Sequence, residues 1–240
     1  MNTLDAVLFD LDGTLCRQDQ DGETIYYGAF ERAGVDPFGE PSDLWTALEG
    51  PPDPDDQLGY LARGFTIVAA QYAHNSEDER GASDPVDADA LAQGFLDVVD
   101  YSKVSLHPGA RGALERARDV GPVGLVTNGP EERQSVKLAS LGLADAFDVV
   151  VYAGDMTRRK PHRDPFDAAV EAFDIDAAST LYVGNSLRYD VAGAQGAGLQ
   201  AAWYVGELGS NMDPDPEPYR PEFVVRSFSD LVELLDELDA

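Results

Sequence analysis

Lysine is almost missing from this chain of 240 residues: only Lys103, Lys137 and Lys160 carry an ammonium. Asp and Glu number 45 against 17 Lys and Arg, for a formal net charge of −28. Such a charge repels polyphosphates and anionic membrane surfaces, so neither nucleic acid nor membrane is an expected partner. The acids are spread along the chain rather than gathered in one tail. A lysine-poor, carboxylate-rich surface resembles those of salt-adapted microbes, where salt screens the self-repulsion, and a halophilic protein is the expectation. Cysteine is scarcer still. Cys16 stands alone, which excludes an intrachain disulfide and fits a reducing compartment. No apolar run approaches the length of a membrane span. The start, MNTLDAVLFD, has no basic region ahead of an apolar stretch, so no signal peptide is expected and the expected compartment is the cytoplasm. His74, His107 and His162 show no metal-ligand spacing. There is no G-x-S-x-G elbow, which argues against a serine hydrolase.

What is present is a globular composition, 43% hydrophobic, with short β-rich runs alternating with helix-like segments. The predicted strands are Ala6–Phe9, Val123–Thr127, Val149–Ala153, Thr180–Gly184, Ala201–Val205 and Phe223–Val225. Their nearly continuous apolar character suits strands covered on both faces. Between them, PGARGALERARDV, EERQSVKLASLG and DPFDAAVEAF read as helices. Asp164 is the expected cap of the last, followed by a first-turn proline. The alternation predicts an α/β fold with a parallel, Rossmann-like sheet and helices on both faces. From about residue 18 to 102 the rhythm breaks. ETIYYGAFERAG, QLGYLARGFTIVAAQYA and DADALAQGFLDVVD read as helices, and GEPSDLWTALEGPPDPDDQ as turn. A mainly helical module at 18–102, inserted into a core of 1–17 and 103–240, is the expected organisation. NMDPDPEPYRPE is expected to be a loop before the last strand and helix.

Four stretches carry candidate chemistry. In VLFDLDGTL, Asp10 ends a strand and Asp12 follows two positions on, while Gly13 permits a sharp turn. Two carboxylates facing one spot bind a cation or differ in pKa; an Asx-type turn is the structural alternative. In VGLVTNG, Thr127 and Asn128 stand at a strand end, where a hydroxyl and free N–H groups suit phosphate oxygens or simply cap a turn. In RRKP, Lys160 suits a phosphate or a carboxylate, or a solvated basic loop. In VGNSLRYD, Asn185 and Asp190 follow another strand. The glycines beyond it run in the wrong order for a dinucleotide fingerprint and suit close helix packing. All these residues follow strand ends, and ligands of open parallel sheets bind at the carboxyl ends of the strands.

Together the four stretches resemble the haloacid dehalogenase-like hydrolase superfamily. DLDGTL is similar to its first motif, TNG to its second, Lys160-Pro161 to its third and VGNSLRYD to its fourth, in order from Val7 to about Val205. The inserted helical segment resembles its cap domain. The resemblance implies that Asp10 attacks phosphorus to form an aspartyl-phosphate, and that Asp12 protonates the leaving alkoxide and then takes a proton from water. It implies Mg²⁺ held by Asp10, the Asp12 carbonyl, Asn185 and Asp190, with Thr127, Asn128 and Lys160 on the phosphoryl group. Family members often have aspartate where this chain has Asn185; an amide oxygen still ligates, without the charge. A small phosphorylated metabolite is the expected substrate. Alternatives are a phosphomutase on the same core residues, a 2-haloacid dehalogenase, against which Asp12 argues, or a non-catalytic binding protein. Arg17, Tyr26, Tyr27 and Arg63 are candidates to reach a substrate, though packing or exposure explains each as well.

Overall fold

The computed structural model describes residues 4–48, 56–75, 86–206 and 219–239. Within these, Ala6–Phe9 forms β1 and Cys16–Gln18 forms β2. Four helices follow: α1 (Gly22–Ala33), α2 (Pro41–Ala47), α3 (Gln57–Asn75) and α4 (Ala88–Val98). The chain returns through β3 (Val104–Leu106), which lies antiparallel to β2. Then come α5 (Ala110–Val120), β4 (Val123–Thr127), α6 (Glu131–Ser140), β5 (Val149–Tyr152) and α7 (Asp164–Phe173). The rest is β6 (Thr180–Gly184), α8 (Ala192–Ala197), β7 (Gln200–Tyr204), β8 (Phe223–Val225) and α9 (Phe228–Leu238). By contacts the chain divides into one unit of residues 1–18 with 101–240 and a second of 19–100.

In the first unit the sheet order is β5-β4-β1-β6-β7-β8, with every neighbouring pair parallel. This is the α/β, Rossmann-like architecture expected from the strand runs. Alternate residues serve opposite faces. Val7 and Phe9 of β1 join Leu114 of α5, Leu138 of α6 and Leu231 of α9 in one core layer. Leu8, between them in sequence, joins Phe166 of α7 and Ala194 of α8 in the other. Each such fully buried Leu or Phe contributes about 1.5–3 kcal/mol of transfer free energy. With β1 at the centre, its C-terminal end lies between those of β4 and β6, where the candidate residues are.

The second unit has its own core, built on Tyr26 and Phe30 of α1, Leu44 of α2, Phe65 of α3 and Phe95 of α4. Asp21 caps α1, accepting N–H bonds from Glu23 and Thr24 at 3.1 Å each. Tyr26 is core: 1% exposed, with its hydroxyl donating to the Phe38 carbonyl. Arg63 is instead an exposed partner of Asp56.

Four local readings need correction. Part of the expected turn at GEPSDLWTALEG is α2. Pro41 opens it, and Glu40 and Asp43 cap it reciprocally, a start signal hidden among turn residues. Asp164 is the first residue of α7 rather than its cap, and its carboxylate accepts from Arg158 at 2.7 Å. Pro108 lies ahead of α5, whose cap is Gly109 with φ +83. β2 and β3, of three residues each, were too short for any periodicity to reveal. The expected loop at NMDPDPEPYRPE falls mostly outside the described residues.

Candidate active site

The site begins where β1 stops. Asp10 extends the ladder by one bond, its N–H reaching the Val183 carbonyl at 2.9 Å. The chain then folds tightly, with the Leu11 carbonyl accepting N–H groups from Thr14, Leu15 and Cys16. Gly13 makes this turn with φ +80, and a Cβ there would stand 2.6 Å from the Asn185 amide nitrogen. Both the left-handed backbone and the space demand glycine. The turn delivers the Thr14 hydroxyl to 3.2 Å from Asp10 Oδ2 and 3.2 Å from Asn185 Oδ1.

Lys160 is the hub. Its side chain is 2% exposed, and Nζ lies 2.7 Å from Asp10 Oδ1 and 2.7 Å from Asp190 Oδ1. The same ammonium, with three hydrogens for four neighbours, lies 3.0 Å from the Val126 carbonyl and 2.8 Å from the Tyr182 hydroxyl. Asn128 holds the Lys160 main chain from both sides, donating to its carbonyl at 3.1 Å and accepting its N–H at 2.9 Å. Asp190 lies in a π-type turn, Leu187–Val191, just ahead of α8 rather than within it. Its other oxygen accepts the Ser186 N–H at 2.9 Å. Gly184 packs so closely on Asp190 that no Cβ fits between them.

Burial pushes the Asp10 carboxyl up to about 7 against the pull of Lys160, with Asp190 adding to the rise. For Lys160, burial works to lower the pKa, but the two carboxylates outweigh it and the net direction is up, so the ammonium persists. Burial and the neighbouring carboxylates hold Tyr182 well above its ordinary value, as a neutral phenol.

Asp12 faces different partners. Its Oδ1 accepts from Lys137 Nζ at 2.6 Å and its Oδ2 from Gln134 Nε2 at 2.7 Å. The same Gln134 nitrogen reaches Thr127 Oγ1 at 2.6 Å. Asp10, Asp12, Thr127, Asn128, Lys160, Asn185 and Asp190 all line one cavity of about 420 Å³, joined by Gly129, Ser186, Arg188 and Tyr189. Sequence reasoning passed over Thr14, Tyr182, Gln134 and Lys137, which bond to the residues lining this cavity. The last pair stands three apart on α6, a spacing that shares a helix face but announces no target.

The donor set suits a hard cation. Two buried carboxyl groups share one ammonium, so ionisation of Asp10 leaves negative charge in excess, and the Thr14 hydroxyl has one proton for two acceptors. Among the described residues no three His, Cys, Asp or Glu side chains cluster well enough to hold a metal by themselves. The neutral Asn185 oxygen and a main-chain carbonyl would therefore be needed to complete an oxygen set for a hard cation such as Mg²⁺.

Carboxylates, a hydroxyl and a buried lysine gathered beyond the strand ends of a parallel sheet are the architecture of an α/β enzyme. The chain belongs to the haloacid dehalogenase-like hydrolase family, whose model matches residues 4–198. It is 30% identical over 170 residues to pyrimidine 5′-nucleotidase YjjG of Escherichia coli, covering 70% of this chain and 73% of that protein. It is 26% identical over 238 residues to a phosphoglycolate phosphatase of Neisseria meningitidis, covering 96% of this chain and 93% of that one. Among solved structures, the magnesium-bound HAD-hydrolase YfnB of Bacillus subtilis superimposes with a TM-score of 0.73 at 23% identity, over 98% of this chain and 99% of that one. At that identity the likeness speaks for the fold alone.

Proposed function

We propose that this hydrolase is a Mg²⁺-dependent phosphatase that cleaves a small phosphomonoester through an aspartyl-phosphate on Asp10. One observation carries the reading: a buried lysine ties Oδ1 of Asp10 to Asp190, while Oδ2, the other oxygen of Asp10, meets the Thr14 hydroxyl alone among the described residues. That geometry holds a carboxylate at the cavity wall with its orientation fixed and one oxygen available for in-line attack. Asp12 is the acid/base group, giving a proton to the leaving oxygen and later taking one from water. The Thr127 hydroxyl, the Asn128 main-chain N–H and Lys160 would steady the phosphoryl oxygens as charge redistributes. Mg²⁺ would be held by Asp10, the Asp12 carbonyl, Asn185 and Asp190, and would there neutralise charge on the phosphoryl group. The names of two relatives, a pyrimidine 5′-nucleotidase and a phosphoglycolate phosphatase, support the reaction class. On this reading residues 18–102 serve as a cap, the substrate is a small cytoplasmic metabolite, and neither nucleic acid nor membrane is a partner.

The test is hydrolysis of 4-nitrophenyl phosphate with Mg²⁺ in molar KCl by the wild type and Asp10→Asn. The wild type should turn over and the variant should not. Background rates in both would sink the enzyme reading, and turnover unaffected by EDTA would sink the metal.

A further inference from the structure

We propose that Gln134 and Lys137 are positioning residues for this site: they fix the plane of the Asp12 carboxylate and aim the Thr127 proton into the cavity. The inference rests on Asp12 and Thr127 acting as proposed above. Asp12 is 48% exposed and sits in the turn after β1, so on exposure alone its carboxylate should rotate freely. Instead each oxygen has its own holder, Lys137 for Oδ1 and Gln134 for Oδ2. Lys137 is itself pinned, 13% exposed, with Nζ 5.6 Å from the centre of the Tyr101 ring. In a chain with three lysines, two of them each grip a candidate aspartate of one cavity.

Gln134 is 1% exposed, and its Nε2 spends both hydrogens, one on Asp12 and one on Thr127. Its Oε1 is buried and has no partner among the described residues. Turning the amide over would press that oxygen against a carboxylate, so Asp12 dictates the orientation. Thr127 Oγ1 accepts a second bond from the Gly129 N–H at 3.3 Å. With both lone pairs filled, the Thr127 proton is left to donate, and the cavity lies before it. Gly129 fits the same plan, because any Cβ there would run into the Gln134 side chain.

In the step concerned, Asp10 oxygen bonds to phosphorus, the bond from phosphorus to the leaving oxygen breaks, and the Asp12 proton passes to that oxygen. A carboxyl group that rotates delivers this proton poorly. The loss should fall on leaving groups that need protonation more than on those that do not.

The experiment measures kcat and KM for phenyl phosphate and 4-nitrophenyl phosphate, with Mg²⁺, for wild type, Lys137→Met, Lys137→Arg, Gln134→Leu and Asp12→Asn. General acid–base catalysis is worth about 10²–10⁴-fold. Lys137→Met should forfeit about tenfold or more of that in kcat for phenyl phosphate, much less for 4-nitrophenyl phosphate, and Lys137→Arg should restore most of it. Gln134→Leu should also raise KM, because Thr127 loses its aim. The ratio of the two substrates is read in one sample, so a partly unfolded variant does not distort it. Equal losses on both substrates in Lys137→Met and Gln134→Leu, with unequal losses in Asp12→Asn, would overturn this inference alone. Equal losses in Asp12→Asn would overturn the acid/base reading and this inference with it.

Discussion

Replacing Lys160 by methionine keeps an unbranched side chain and removes its charge. In the structure that charge lies 2.7 Å from Asp10 and from Asp190, with 2% of the side chain exposed. Without it, the two oxygens it joined, at most twice 2.7 Å apart, face each other directly. Two unit charges at that spacing repel by about 3 kcal/mol at an effective dielectric of ~20, equivalent to about two pKa units. Removing one member of a buried ion pair typically costs about 3–5 kcal/mol, because the other is left unpaired. The pH dependence follows from Asp10, which burial raises from 3.8 to about 7. A carboxyl raised on folding contributes stability that is present below its unfolded value and is lost as pH rises through its folded value. Losing Lys160 removes the strongest opposing pull and extends that window upward. Urea unfolding of both proteins in EDTA and fixed molar KCl, at about pH 5 and about pH 8, reads the penalty directly. It should reach about 3 kcal/mol at the higher pH and be clearly smaller at the lower. A penalty equal at both, or under about 1 kcal/mol at the higher, would refute the reasoning.

Three further outcomes are expected. Asp190→Ala should abolish Mg²⁺-dependent turnover while Asn185→Asp keeps or raises it; Mg²⁺ titrations check both, and sharply weaker binding by Asn185→Asp would contradict the ligand set. Gly184→Ala, which forces a methyl into Asp190, should cost about 1–3 kcal/mol in denaturant unfolding and at least a tenfold loss of kcat. With a net charge of −28, the melting temperature should climb as KCl shortens the Debye length from ~10 Å at about 0.1 M to ~3 Å at about 1 M. A flat response would remove the case for salt adaptation.

The sheet was legible because its strands are apolar on both faces: Ala6–Phe9 and Val123–Thr127 are buried throughout. The site was legible as four stretches because each follows a strand end, and the sheet brings those ends together. What the chain hid were partnerships. Asp12 and Lys137 are 125 residues apart, and Lys137 reads in sequence as an ordinary helix cation. Asn128 reads as a phosphate-facing amide, yet its side chain is taken up by the Lys160 main chain, a pairing of two distant loops. Asp164 next to Pro165 fits a cap or a first turn equally well; the helix starts one residue earlier than the cap reading, with Arg163 at the cap.

The Lys160 ammonium also has a mechanical consequence. Through one nitrogen it reaches the Val126 carbonyl of β4, Asp10 beyond β1 and Tyr182 of β6. It thus fastens the ends of the three central strands as a rivet would. No substitution there can separate an effect on reactivity from a loosening of the sheet beneath it. A chain that has shed lysine almost everywhere else keeps one here, where no longer or bulkier cation would fill the same hole.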